Sequence, residues 1–295
     1  MRVDPDQLAA LRAILRLGTF EAAAAELSVT PSAVSQRIKA LEDRTGGALI
    51  QRGAPCTATS MGARLAKHAE DVSLLESHLA RDLGLDAASE SPTVLRIAVN
   101  ADSVATWFLG ALAEVPDMLY DLVLDDQDHS ADWLRQGAVS AAVTARQAPV
   151  TGCDAHDLGA LRYIPTASPA FLRRHFPDGV TPASLARAPC LTFSRKDMLQ
   201  RQWIEARAGR RLSPPCHYLP SSHAFVDAAI AALGWGMNPE SLVRDPIRRG
   251  DLLPLVDGTP LDVPLCWQVS RIMAPALRPL TEAVRAAAAR SLIPR

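Results

Sequence analysis

Apolar residues recur at helical spacing over roughly the first 80 positions, then give way to short apolar runs separated by helix-length stretches. Leu8, Leu11 and Leu15, with Ile14 adjoining, predict a first helix that Gly18 stops. Thr19 is placed to cap a second, in which Ala22 to Ala25 offer a slim surface between the larger anchors Phe20 and Leu27. Thr30 then stands at an N-cap position with Pro31 at the first helical position, where its missing N–H costs nothing. In the helix that follows, Val34, Ile38 and Leu41 form an apolar stripe, while Ser32, Ser35, Gln36 and Lys39 line a separate polar face. Gly46 and Gly47 break this third helix, and Leu49 to Thr59 has the strand and turn character of a wing bearing Arg52.

A polar face of this kind is also what the solvated side of any amphipathic helix shows. The slim alanine surface before it favours a different reading, because close crossing of two helices is what a helix-turn-helix requires. Small hydroxyl and amide side chains permit close approach to base edges, and Arg37 and Lys39 add charge for the phosphate backbone. The candidate DNA-contacting set is therefore Thr30, Pro31, Ser32, Ser35, Gln36, Arg37, Lys39 and Arg52. The expected head is an all-α winged helix-turn-helix domain over residues 1–60.

Residues 61–83 predict a long linker helix, since Met61, Leu65, Ala69, Val72, Leu75, Leu79 and Leu83 step by threes and fours with no proline. Such a seam either pairs with a second copy or lies on its own domain's core. Residues 84–92, GLDAASESP, are small, polar and proline-terminated, and read as a hinge. Beyond it, runs at Val94 to Val99, Leu119 to Leu124 and Val139 to Val143 alternate with helix-length segments, which predicts a parallel α/β domain over 93–295. A second set of elements follows from Arg162 through Val269, so two lobes are expected, 93–161 with 269–295 and 162–268. Two such lobes enclose a cleft, and ligands of open α/β sheets sit at strand carboxyl ends. Asn100, Ala101, Asp102 and Ser103 occupy such an end ahead of a helix, where free amides and the helix dipole favour a carboxylate; plain helix capping explains Asp102 and Ser103 equally well.

A formal net charge of −1 is unusual for a DNA-binding protein. Local counting modifies the picture, because residues 31–60 hold Arg37, Lys39, Arg44 and Arg52 against Glu42 and Asp43. A head this mildly basic binds best in multiples. The lobes differ in sign: residues 93–137 carry eight acidic against two basic side chains, and residues 162–211 ten basic against three acidic. Complementary potentials of this kind favour an antiparallel pairing of two subunits. Five cysteines without a CxxC pair read as reduced structural thiols, and the Cys216, His217, His223 spacing fits no strong zinc pattern, so no metal or other cofactor is expected. Ser103 lacks a nucleophile elbow, and an enzyme is not expected. With no apolar run near ~18 residues and no signal-like opening, the expected location is the cytoplasm, away from the membrane.

The run FEAAAA from Phe20 and the run TPSAVSQRIKALE from Thr30 resemble the N-terminal signature of the LysR-type transcriptional regulators. Arg52, Gly53, Pro55 and Cys56, with NADSVATWFL at 100–109, LGALRY at 158–163, SPAF at 168–171, FPDGVT at 176–181 and GWGM at 234–237, are similar to the subgroup that controls export of basic amino acids. The resemblance implies a periplasmic-binding-protein-like effector domain, a homodimer or dimer of dimers, and double-stranded promoter DNA as partner, with RNA polymerase a further candidate. It implies an effector set of Asn100, Ala101, Asp102, Ser103, Trp107, Thr144, Ser221, Ser222 and His223, and an amino acid such as lysine or arginine as ligand. Relatives usually carry Glu where His223 stands, and neutral imidazole pairs weakly with a cation. A LysR-type regulator with a non-basic effector is the alternative, and a two-lobe binding protein or enzyme a more distant one.

Overall fold

The computed structural model describes residues 3–85, 94–125, 130–145 and 148–295. The predicted hinge therefore lies outside the described residues from position 86 onward. The head consists of α1 (Pro5–Leu17), α2 (Phe20–Glu26), α3 (Pro31–Thr45) and an antiparallel hairpin of β1 (Ile50–Gln51) and β2 (Thr57–Ala58). Each boundary has a local cause. Thr19 and Thr30 side chains accept hydrogen bonds from the amides of Ala22 and Ala33 at 3.1 and 3.2 Å. Gly18 and Gly46 end α1 and α3 in the left-handed region, where a Cβ would be strained. Ala23, Ala24, Val34, Ile38 and Leu41 are buried together with Leu11, Ile14 and Leu49 in a core of the head's own.

The linker helix α4 spans Ser60–Asp82. Gly62, in its first turn, is where the helix meets the wing: a Cβ there would stand 1.9 Å from the Leu49 carbonyl oxygen. The predicted seam divides along its length. Leu65 packs on the head core and Leu75, with Leu74 beside it, on the effector-domain core, whereas Leu79 and Leu83 stay 58% and 63% exposed. Covering its own domains and offering an apolar strip are thus properties of different turns of one helix. Asp71 ties this helix to the effector domain, accepting from the buried Lys67 at 2.5 Å and from Ser140 at 2.9 Å.

The effector domain continues with β3 (Val94–Val99), a helical stretch of α5 (Ala101–Ser103), one π-helical turn (Val104–Phe108) and α6 (Leu109–Ala113), then β4 (Leu119–Leu124), α7 (Ser130–Arg135) and β5 (Ala141–Thr144). After β6 (Cys153–Ala167) come α8 (Pro169–His175), α9 (Pro182–Leu185), β7 (Cys190–Thr192), α10 (Leu199–Ala208), β8 (Cys216–Tyr218) and α11 (Ser222–Ile230). The chain closes with β9 (Gly236–Pro239), α12 (Glu240–Arg249), β10 (Leu253–Pro254), β11 (Leu261–Ser270) and α13 (Arg278–Ser291).

Strands β4, β3 and β5 are parallel neighbours, as predicted, but the architecture is mixed rather than parallel. Strand β6 runs antiparallel to β11, β9 and β10, and β11 antiparallel to β5. The reason is that the chain passes between lobes on two long strands instead of on loops. Strand β6 starts at Cys153, well before the predicted run at Arg162, and its register with β11 shifts at Leu265/Cys266. Gly159 lies beside this irregularity with φ +98, and a Cβ there would stand 2.5 Å from the Ile293 carbonyl oxygen. Arg162 and Asp262, paired across the two strands, form a two-pronged ion pair at 2.7 Å on each arm. Helix α13 returns to the first lobe, where it packs on α6 and β6.

Candidate functional site

Two regions carry the sequence-predicted chemistry. On the head, the apolar stripe of α3 is buried, while Ser32, Ser35, Gln36 and Lys39 are all exposed on the same helix. Thr30 and Pro31 open the helix and are exposed as well. The turn before it is tight because Ser28 adopts φ +53, and this brings α2 against α3. Arg37 behaves differently from its neighbours: its guanidinium donates to Asp6 of α1 at 2.7 Å, an ion pair that fixes α3 against α1. Arg52 is exposed on the wing, with its guanidinium carbon 5.6 Å from the Phe20 ring centroid, so the aromatic face orients a cation at the edge of the helix-turn-helix.

The second region lies where β3, β7 and α11 converge. Asp102 follows β3, and it does not cap a helix. Its two oxygens accept from Tyr163 Oη at 2.8 Å and from Ser222 Oγ at 2.6 Å, so one carboxylate joins the first lobe, the crossover strand and the second lobe. Ser222 is buried at the start of α11, whereas Ser221 serves as that helix's N-cap through the Ala224 amide. A second carboxylate faces the same cavity. Asp197 is 7% exposed and accepts from the amides of Phe193 at 3.0 Å and Leu199 at 2.9 Å. Burial raises its pKa above the ordinary 3.8; the two amides oppose that shift and the charge of Asp102 adds to it. Together with Phe225 and Asn238, the two carboxylates line a cavity of about 20 Å³. That volume holds about one water molecule, so a ligand of amino-acid size needs the lobes to part.

Around this centre several buried polar atoms have no partner. Both side-chain polar atoms of Asn100, the Ser103 hydroxyl and the Trp107 indole N–H are buried without a hydrogen bond. Leaving such a group unsatisfied costs about 1–3 kcal/mol, which a ligand is able to recover. Asn100 heads the helix yet makes no side-chain cap, and Ala101 follows it. Thr144 ends β5 beside β3; its hydroxyl accepts from Gln268 Nε2 at 3.0 Å. Of the predicted effector set, Asp102 and Ser222 line this cavity, while Asn100 to Ser103 follow β3, Thr144 ends the neighbouring β5 and Trp107 lies in the π-helical turn further on. His223 is exposed and does not line the cavity. The cavity's acidic character comes instead from Asp102 and Asp197. Asp197 carries no local signal in the sequence, since it lies in a loop between β7 and α10.

A winged helix-turn-helix head followed by a long helix and a two-lobe α/β domain defines a one-component regulator. The bacterial regulatory helix-turn-helix model of the lysR family matches residues 5–63, and the LysR substrate binding domain model matches residues 88–289. This chain belongs to the LysR family of transcriptional regulators, which are not enzymes. The HTH-type transcriptional regulator LysG of Mycobacterium tuberculosis is 45% identical over 97% of this chain and 94% of that protein. The crystal structure of ArgP from Mycobacterium tuberculosis matches with TM-score 0.79 and 44% identity, covering 100% of both chains. Full-length LysG from Corynebacterium glutamicum with bound effector Arg matches with TM-score 0.66 and 35% identity, over 99% of this chain and 100% of that one. Among the described residues no helix is long and apolar enough to cross a membrane, and no group of three or more His, Cys, Asp and Glu is placed to hold a metal ion.

Proposed function

We propose that this regulator binds promoter DNA as a dimer or dimer of dimers in the cytoplasm, senses a basic amino acid in the interlobe cleft, and controls an amino-acid exporter gene. The observation that carries the effector reading is the pair of carboxylates, Asp102 and Asp197, on one buried cavity. Two acidic groups removed from water create a strong demand for a cation, which guanidinium or ammonium meets with charge-assisted hydrogen bonds. The amino acid's own carboxylate is assigned to the amides after Asn100 and to the Ser103 hydroxyl. The Corynebacterium glutamicum relative carries Arg as bound effector, which supports a basic amino acid as the ligand class. The exposed imidazole of His223 does not weaken it, because the cation's partners are elsewhere.

On the DNA side, Ser32, Ser35, Gln36 and Lys39 are assigned to the major groove, with Thr30 and Pro31 at its edge and Arg52 on the adjacent backbone. Arg37 reaches phosphate only after leaving Asp6. The exposed Leu79 and Leu83 provide a seam for a second copy, which would set two recognition helices near one DNA turn, ~10 bp, apart. Lobe parting on effector binding acts on the heads through α4, which Asp71 fastens to the Ser140 loop. Calorimetry with arginine and lysine, run beside neutral glutamine and citrulline, tests the effector class. Binding confined to the cations supports it, and equal binding of the neutral compounds would remove it.

A further inference from the structure

Strands β7 and β8 are parallel, and their register sets Cys190 directly opposite Cys216. Backbones of neighbouring strands lie about 4.7–4.9 Å apart, within the Cα separation a disulfide spans. The side chains here face each other: the two sulfurs are 3.2 Å apart, and both thiols are free. A bond length near 2.05 Å is thus about 1 Å of side-chain movement away. Cys190 is 1% exposed, and Cys216 is partly exposed at the edge of the pair. Burial, with Cys216 second, pushes the Cys190 thiol up to about 12 and leaves it protonated at rest. A cavity of about 20 Å³ adjoins both sulfurs and is also lined by Thr192, Asp197, Arg201 and Tyr218, which is room for a water-sized reactant.

We propose that Cys190 and Cys216 are a reversible dithiol–disulfide pair, oxidised by a small hydroperoxide that reaches Cys216 through this cavity. Cys216 sulfur attacks the O–O bond, forming a sulfenic acid and releasing water from hydrogen peroxide. Cys190 sulfur then displaces the sulfenic hydroxyl, which leaves as a second water with the Cys190 proton, and the S–S bond forms. Two thiols are oxidised and one peroxide is reduced, and an external dithiol reverses the change. In a reducing cytoplasm such a bond is transient, which suits a signal rather than a structural staple.

The test exposes the reduced, full-length protein to stoichiometric hydrogen peroxide, alkylates it in denaturant, and maps the peptides by mass spectrometry. The expected result is loss of both thiols together and an intramolecular peptide joining positions 190 and 216 that dithiothreitol splits. In Cys216→Ser, at the partly exposed position, Cys190 should remain fully alkylatable after the same treatment. Wild-type protein in which Cys216 advances to sulfinic acid while Cys190 stays a thiol would overturn the proposal. So would cross-links found only between separate molecules. Because both sulfurs are read in the unmodified protein, the result does not depend on how any variant folds, nor on which effector the cleft binds.

Discussion

Asp102→Asn removes a charge from the cleft while preserving its shape, and so separates effector recognition from folding. Asp102 accepts from the hydroxyls of Tyr163 and Ser222 at 2.8 and 2.6 Å. A hydroxyl both donates and accepts, so an amide keeps both contacts, its oxygen accepting from one hydroxyl and its nitrogen donating to the other. Exchanging charged for neutral hydrogen bonds costs on the order of 1 kcal/mol each, which lowers the melting midpoint by about 5 °C or less in a chain of this size. The cationic effector loses more. A hydrogen bond to a charged group is worth about 1.5–3 kcal/mol, and each 1.4 kcal/mol is tenfold, so arginine affinity should fall by about 10- to 150-fold. Calorimetry on folded Asp102→Asn, with melting checked on the same sample, reads both quantities. Undiminished arginine binding by a well-folded variant would refute the assignment of Asp102 to the cation.

Four further outcomes follow. Asp197 has a raised pKa in the fold, so its contribution to stability is greatest below the unfolded value of 3.8 and is lost as pH rises through the raised one, while its ability to hold a cation changes the opposite way. Arginine affinity, measured by calorimetry, should therefore weaken on acidification at a pH above that expected of an ordinary aspartate, and Asp197→Asn should flatten this dependence. Gly62→Ala sets a methyl group against the Leu49 carbonyl, and overpacking of this kind costs about 1–3 kcal/mol or more, visible as a lower melting midpoint and a weaker gel shift. Lys39→Ala should weaken binding on a titrated promoter fragment and reduce the salt slope by about 1 if its contact is to phosphate, whereas Gln36→Ala should relax base preference with the slope unchanged. Leu79→Asp combined with Leu83→Asp should shift sedimentation toward monomer, and an unchanged oligomer would place the subunit contact elsewhere.

The head is legible in the sequence because its determinants are local. Thr19 and Thr30 cap, Gly18 and Gly46 terminate, and Val34, Ile38 and Leu41 go inward, each within a turn or two of the sequence that signals it. The effector domain is legible as to lobes but not strand direction. The first half of β6 carries Asp154, His156 and Asp157, and before Leu158 its apolar positions are just the small Cys153 and Ala155, too weak a signal to announce a strand that crosses between lobes. The cleft is legible on one side only. Asn100 to Ser103 follow a clear apolar strand, but Asp197 is defined by the Phe193 and Leu199 amides that fold a loop around it. Ser221, Ser222 and His223 form one run that does not itself say which side chain faces the cleft, and helix α11 turns Ser222 inward and leaves His223 outside. Cys190 and Cys216 are far apart in sequence, and only the register of β7 and β8 joins them.

The linker helix shows why a periodic stripe alone does not identify its partner. Leu65 and Leu75 satisfy the same spacing as Leu79 and Leu83, but the first two are covered by the chain's own domains. The division places the effector domain in contact with the middle of α4 and leaves Leu79 and Leu83, at its end, exposed. Asp71, shared between Lys67 and Ser140, is where the first lobe is tied to the helix that follows the head.

The most direct test is a footprint of the full-length protein on the DNA flanking its own gene, taken with and without saturating arginine or lysine. Protection of a dyad-related site is expected in both conditions, with the protected length or the bend between half-sites altered by the cationic amino acid and unaltered by citrulline. A cation that binds the protein in calorimetry and leaves the footprint identical would contradict the coupling of cleft to head.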